Sequence, residues 1–174
     1  MSVFVGLQPP IEIRDEVQAM WDRLSSAPTA LRESADDLHV TLCYLGEVRD
    51  ITDLTAALRT ACEQVRPATI ELGPATVMLM PTTLAIPAVG ADDLARTVRA
   101  VGRGWEEKPQ HLPFFGHMSV ARFRSPADGA HLLIQQWEGL AFCGSWTATE
   151  ICVFSRRSHS SATRYHVLDR IRLV

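Results

Sequence analysis

Two apolar stretches of this chain carry the same device, a histidine, one spacer and a hydroxyl, and they lie nearly half of the 174 residues apart. The first is Leu38-His39-Val40-Thr41-Leu42-Cys43-Tyr44-Leu45-Gly46. The second is Gly116-His117-Met118-Ser119-Val120-Ala121-Arg122-Phe123. Apolar, β-branched and aromatic residues punctuated by glycine read as strands. Side chains two apart on a strand share a face, so His39 and Thr41 point one way while Val40 and Leu42 point the other. The same holds for His117 and Ser119. An apolar strand has no need of an imidazole and a hydroxyl, so one face of each run is reserved for something polar.

The segments around these runs repeat one order. Ser2 to Leu7 reads as a strand stopped by Pro9-Pro10, and Ile13, Val17, Met20, Trp21 and Leu24 then form one apolar helical stripe. The polar stretch Arg32 to Asp37 is a loop leading into the first motif. Leu54, Leu58, Ala61, Cys62 and Val65 mark a second helix, and Thr69 to Met80 a strand bent near Gly73-Pro74. Thr83 to Ile86 is a short strand, and Leu94, Val98, Val101 and Trp105 mark a third helix before the second motif. Ser125-Pro126 suits the start of a fourth helix with the stripe Ala130, Leu133, Ile134 and Trp137. Strands around Trp146 to Phe154 and Tyr165 to Leu173 close the chain. Internal repetition of this kind packs as two related lobes. The expected fold is α+β, a single domain over residues 1–174 made of two pseudo-symmetric lobes. Two antiparallel sheets would face a central cleft with helices outside, and each lobe would bring one His-x-Thr/Ser strand to that cleft.

Composition narrows the partners. With 47% hydrophobic and 21% charged residues the chain is of ordinary globular type. No apolar run approaches the ~18 residues that a membrane helix needs. Met1-Ser2-Val3-Phe4-Val5 lacks a basic leader, so the expected location is cytoplasmic with no membrane partner. Cys43, Cys62, Cys143 and Cys152 form no Cys-x-x-Cys pair and read as reduced thiols. A net charge of −3 argues against duplex DNA as a ligand. From His117 onward, seven arginines stand against four acids, a local excess that suits a small phosphorylated ligand. A monomer is expected.

Two imidazoles across a cleft suit paired general acid–base catalysis near neutral pH. One takes a proton from water and the other gives one to a leaving oxygen, while the hydroxyls bind phosphate oxygens. Cleavage of a phosphodiester or cyclic phosphate fits without metal or other cofactor. Zinc would need three or four ligands at compact spacing, and only His111 lies near His117. Cys43 shares the strand parity of His39 and leaves a cysteine hydrolase open, although nothing in the sequence activates that thiol. No role attaches to His131, His159 or His166.

His39-Val40-Thr41-Leu42 through Leu45-Gly46, together with His117-Met118-Ser119-Val120-Ala121-Arg122, resembles the paired motifs of the two-histidine (2H) phosphoesterase superfamily. Within it the chain is most similar to the bacterial RNA 2′,3′-cyclic phosphodiesterases, also called 2′-5′ RNA ligases. The similarity extends from the Phe4-to-Pro9 strand to the Ser155-Arg156 and Tyr165-His166-Val167-Leu168 segments. It implies a bilobal fold and a metal-free enzyme that hydrolyses 2′,3′-cyclic phosphate ends of RNA or nucleotides to 2′-phosphates, with 2′-5′ ligation as a side activity. It further implies that His39 protonates the leaving 3′-oxygen and His117 activates water. Thr41, Ser119 and Arg122 would hold the phosphate and Phe4 would stack on a base. Strand parity puts Arg122 on the face opposite His117, so that role requires a bulge or a strand end. Gly116 stands where the family usually has proline, and Ser119 where it usually has threonine. Two alternatives keep other ligands open. One is the same fold acting on a small cyclic nucleotide, an ADP-ribose cyclic phosphate or a 2′-5′ or cyclic oligonucleotide signal. The other is an RNA-end or nucleotide binding module with little turnover.

Overall fold

The computed structural model describes residues 1–23, 32–80, 82–105, 113–122, 135–156 and 163–174. Among these residues, three α-helices alternate with strands: α1 (Ile11–Asp22), α2 (Thr52–Cys62) and α3 (Asp92–Gly102). The strands are β1 (Ser2–Leu7), β2 (Val40–Glu47), β3 (Ala68–Leu72), β4 (Val77–Met80), β5 (Thr83–Val89), β6 (His117–Arg122), β7 (Gly144–Ala148), β8 (Glu150–Arg156) and β9 (Tyr165–Arg172). Each helix buries the stripe its sequence spacing announces. Ile13, Val17, Met20 and Trp21 face inward from α1, Leu54, Leu58 and Cys62 from α2, and Leu94, Ala95 and Val98 from α3. All join one large apolar core with the inward residues of the strands. A second, smaller apolar cluster lies apart from it, built on Phe4, Cys152 and Phe154 with Tyr165 and Val167 packed alongside.

Among the described residues the strands form one continuous path, β7-β3-β5-β6-β2-β1-β8-β9, with β4 paired to β5. The fold is α+β, as expected, but its two halves are one sheet rather than two separate ones. The motif strands β2 and β6 meet at the middle of the path. Outward from that junction the order reads alike on both sides: β6-β5-β3-β7 and β2-β1-β8-β9. Each motif strand pairs antiparallel with the strand that precedes it across a helix, β2 with β1 across α1 and β6 with β5 across α3.

Two expected strands divide. The run 69–80 breaks at Gly73, whose φ of +121° and close approach to the Phe142 carbonyl leave no room for a side chain. Its first part pairs with β5 and β7, and its second part returns along β5. The run 146–154 breaks at Thr149, where the chain leaves the β3 edge and enters beside β1. No glycine or proline marks that crossing, and the apolar residues continue through it. The strand expected at 83–86 extends to Val89. The fourth predicted helix falls outside the described residues apart from its end, where Trp137 is buried edge-on against Trp21 with ring centroids 5.3 Å apart.

Gly116 shows what fixes the approach to β6. Its carbonyl accepts the Ala88 amide at 2.9 Å, and a Cβ placed on it would stand 2.2 Å from the Ala88 carbonyl oxygen. Gly116→Pro is therefore expected to force β5 and β6 apart. A loss of about 1–3 kcal/mol in denaturant unfolding, the range for overpacking, is the outcome to look for. An unchanged midpoint would show that the strands yield without cost.

Candidate active site

β2 and β6 run antiparallel and pair at Val40↔Met118, both fully buried. In such a pair the residues on either side stand level in turn and share one face of the sheet. His39 is thus level with Ser119 and Thr41 with His117, so the two motifs interlock as a square of two imidazoles and two hydroxyls. Val40 and Met118 point through the sheet into the core. His39 and Ser119 are buried, at 8% and 6% exposure, while Thr41 and His117 are partly open.

Bulges decide what else reaches this face. Along β5–β6 the partners are Ala85↔Ser119, then Leu84↔Ala121 and Thr83↔Arg122. Val120 is therefore the extra residue, and it returns Arg122 to the face of Ser119. Arg122 Nη2 donates to Ser119 Oγ at 3.1 Å, so the bulge that a role for Arg122 requires is present. Along β1–β2 the partners are Gly6↔Thr41, Val5↔Cys43 and Phe4↔Tyr44, which makes Leu42 a second extra residue. Cys43 consequently turns into the core and is fully buried, against the parity expected from an unbroken strand. A thiol there is no nucleophile for this face, and the cysteine-hydrolase alternative falls.

Both imidazoles are oriented by the same local contact. His39 Nδ1 lies 2.6 Å from the Asp37 carbonyl, and His117 Nδ1 lies 2.9 Å from the Phe115 carbonyl. A carbonyl only accepts, so each Nδ1 carries the proton and each Nε2 is left for chemistry. Burial lowers the pKa of both histidines. For His39, burial is the main cause, joined by the positive charge of Arg122 and by His117, and the value falls to about 4. For His117, burial leads and Arg122 adds to it. Around His39 stand the rings of Phe4 at 4.6 Å, Tyr165 at 5.1 Å and Phe154 at 5.5 Å between centroids. Phe4 is only 4% exposed and also stacks on Phe154 at 4.8 Å. Its ring thus packs against those of His39 and Phe154, and it supports His39 from the side.

The Arg32–Asp37 segment is more than a connecting loop. Beyond Met118 the β6 edge departs from β2, and this segment takes its place: Arg32 bridges Ala121, and the Glu33 amide donates to the Val120 carbonyl at 2.9 Å. Glu33 is thereby buried at the site, with Oε1 3.2 Å from Arg122 Nε and 3.1 Å from Arg164 Nη1. Burial raises its pKa against the pull of the two arginines. Asp37, also buried, accepts from the amides of Arg164 and Tyr165 and from the Ser34 hydroxyl. One residue thus holds His39 by its carbonyl and anchors the start of β9, which carries Tyr165, by its carboxylate. Neither acid was legible as a site residue, because a polar mixed-charge loop has no periodicity to say which side chain turns inward. Arg156 is exposed on β8. Arg157, His111, His131 and His159 lie outside the described residues. No three His, Cys, Asp or Glu side chains are grouped as metal ligands among the described residues.

The central strands of this antiparallel α+β sheet thus carry the two histidines on one face. The family model for the 2′-5′ RNA ligase superfamily matches residues 9–160, and the chain belongs to that superfamily of phosphoesterases and ligases. Among solved structures, TT0787 of Thermus thermophilus is 20% identical with a TM-score of 0.79, covering 99% of this chain and 98% of its own. E. coli LigT complexed with 3′-AMP is 23% identical with a TM-score of 0.73, at 99% and 97% coverage. A structure described as a phosphoesterase is 24% identical with a TM-score of 0.72, at 99% and 97% coverage. No curated protein sequence matches. No helix among the described residues is long and apolar enough to cross a membrane.

The buried imidazole makes folding sensitive to acid. His39 titrates near 6.5 in the unfolded chain and near about 4 when folded. Between those values the unfolded chain binds the extra proton, so stability falls as pH drops through this window and is insensitive to His39 above it. The shift corresponds to roughly 3 kcal/mol. In urea unfolding from pH 7 to pH 4, His39→Gln should lose less stability than the wild type by about that amount. Equal losses would show that His39 is protonated in the fold.

Proposed function

We propose that this protein opens 2′,3′-cyclic phosphate ends of RNA or of nucleotides to 2′-phosphates, without a metal ion, by proton transfer through His39 and His117. The observation that carries the reading is the interlocked register at Val40↔Met118, which puts both imidazoles and both hydroxyls on one face. Water attacks phosphorus in line with the 3′-oxygen, and His117 Nε2 takes its proton. The bond from phosphorus to the 3′-oxygen breaks, and His39 Nε2 delivers a proton to that oxygen. Thr41, Ser119 and Arg122 hold the non-bridging oxygens as charge builds on them. His39 is neutral in the free protein at pH 7, and the negative phosphate beside it supplies the charge that raises its pKa for the acid role. The same steps with a 5′-hydroxyl in place of water would join it to the 2′,3′-cyclic end through a 2′-5′ bond, leaving a free 3′-hydroxyl. The protein is expected to act as a cytoplasmic monomer in which the two similar halves of the sheet descend from one duplicated unit.

RNA ending in a 2′,3′-cyclic phosphate, incubated with the protein in EDTA, should yield the 2′-phosphate. His39→Gln and His117→Gln should each lower kcat by about 10²–10⁴-fold with circular dichroism unchanged, as expected for loss of a general acid or base. Activity lost in EDTA would end the metal-free mechanism, and binding without opening would make the chain an RNA-end binding module.

The depressed pKa of His39 favours one competing assignment, with His39 as base and His117 as acid. A substrate with sulfur in place of the 3′-bridging oxygen separates the two, because a thiolate leaves without a proton. Rescue of His39→Gln by this substrate fits His39 as the acid. Rescue of His117→Gln instead would exchange the roles.

A further inference from the structure

Phe115 is the residue of the site whose exposure has no structural explanation. Its ring is 56% exposed, whereas the other phenylalanines around the histidines, Phe4 and Phe154, are 4% and 1% exposed. The ring lies beside that of His117, with centroids 6.1 Å apart and planes 25° from parallel. Its backbone is held in place from both directions. The Phe115 carbonyl accepts His117 Nδ1–H at 2.9 Å, and Gly116 is pinned against Ala88. Phe114 on the other side packs on the core beneath the Arg99 guanidinium, 5.3 Å from its ring centroid. A large apolar ring on a fixed backbone, open to water and nearly parallel to a neighbouring imidazole, is ready to stack on a flat partner. Because its backbone is already ordered, little conformational freedom is lost when that partner arrives.

We infer that Phe115 is the stacking platform for the nucleobase of the substrate, so that the site selects nucleoside cyclic phosphates over base-free ones. This rests on the reading of the site as a cyclic phosphodiesterase and adds a binding contact on the His117 side. The site's phosphate position is set by His117, Ser119 and Arg122 on β6, and Phe115 precedes that strand by two residues. A nucleoside attached to a phosphate at His117 therefore has this ring within its neighbourhood, while Phe4 is closed off under His39.

The test compares adenosine 2′,3′-cyclic phosphate with 1-O-methylribose 2,3-cyclic phosphate as substrates, and 2′-AMP with ribose 2-phosphate as ligands in calorimetry. Base–aromatic stacking sets the expected size. Phe115→Ala should raise KM for the adenosine substrate, and Kd for 2′-AMP, by about 10-fold or more, with kcat little changed. The base-free compounds should be unaffected, and Phe115→Trp should retain the wild-type preference. Equal effects on both members of each pair, or a wild type that does not prefer the base-bearing ligand, would overturn the platform. Loss of turnover on both substrates with the calorimetric preference intact would instead overturn the phosphodiesterase reading and leave the stacking contact standing.

Discussion

Val40 and Met118 are the point on which the arrangement turns. They are the pair through which β2 meets β6, and both side chains are fully buried in the core. A shift of one residue in that pairing would carry one motif's histidine and hydroxyl to the wrong face, because the side-chain period of a strand is two. Burial of Val40 and Met118 therefore sets where the polar square stands. The same shortness of contact has a second effect. Since β6 soon departs from β2, its edge beyond Met118 is free, and the Arg32–Glu33 segment occupies it. That is how a carboxylate comes to be buried beside Arg122.

The buried charges depend on one another. Glu33 is 4% exposed and Asp37 5%, positions where an unpaired carboxylate would be costly. Glu33 meets two guanidinium groups. Asp37 meets two backbone amides and a hydroxyl. Through them, Ser119 and Arg122 on β6 connect to Arg164 and Tyr165 at the start of β9, and from there to His39. Removing either carboxylate would break this chain of contacts while leaving the apolar core intact.

What the sequence made legible follows from periodicity. Helical stripes predicted α1, α2 and α3, and the paired His-x-hydroxyl pattern located the two central strands with their shared face. Periodicity fails where one residue is inserted. At Leu42 an extra residue sends Cys43 inward, and at Val120 an extra residue brings Arg122 outward. Neither position holds a glycine or proline that would announce a bulge, so parity misplaced the cysteine and left the arginine in need of a device the sequence does not mark. The crossing at Thr149 was hidden for the same reason. Phe4 shows a different limit: an aromatic in a strand looks the same in sequence whether its ring faces a ligand or, as this one does, a neighbouring imidazole.

The electrostatics of the square give its imidazoles a dependence on what occupies it. Burial and Arg122 depress both histidines, and His117 further depresses His39, so the free site resists positive charge. An anion among His39, His117 and Arg122 opposes each of these influences at once, favouring protonation of an imidazole it touches. Linkage then requires that a proton taken up on binding also strengthen binding as pH falls. A paired acid and base need one protonated and one neutral imidazole, and a site that is neutral when empty reaches that state through its ligand. The buried Glu33, whose own pKa is raised, lies on the far side of Arg122 from Ser119 Oγ in the chain of contacts. It restrains the guanidinium without placing a negative charge in direct contact with that hydroxyl.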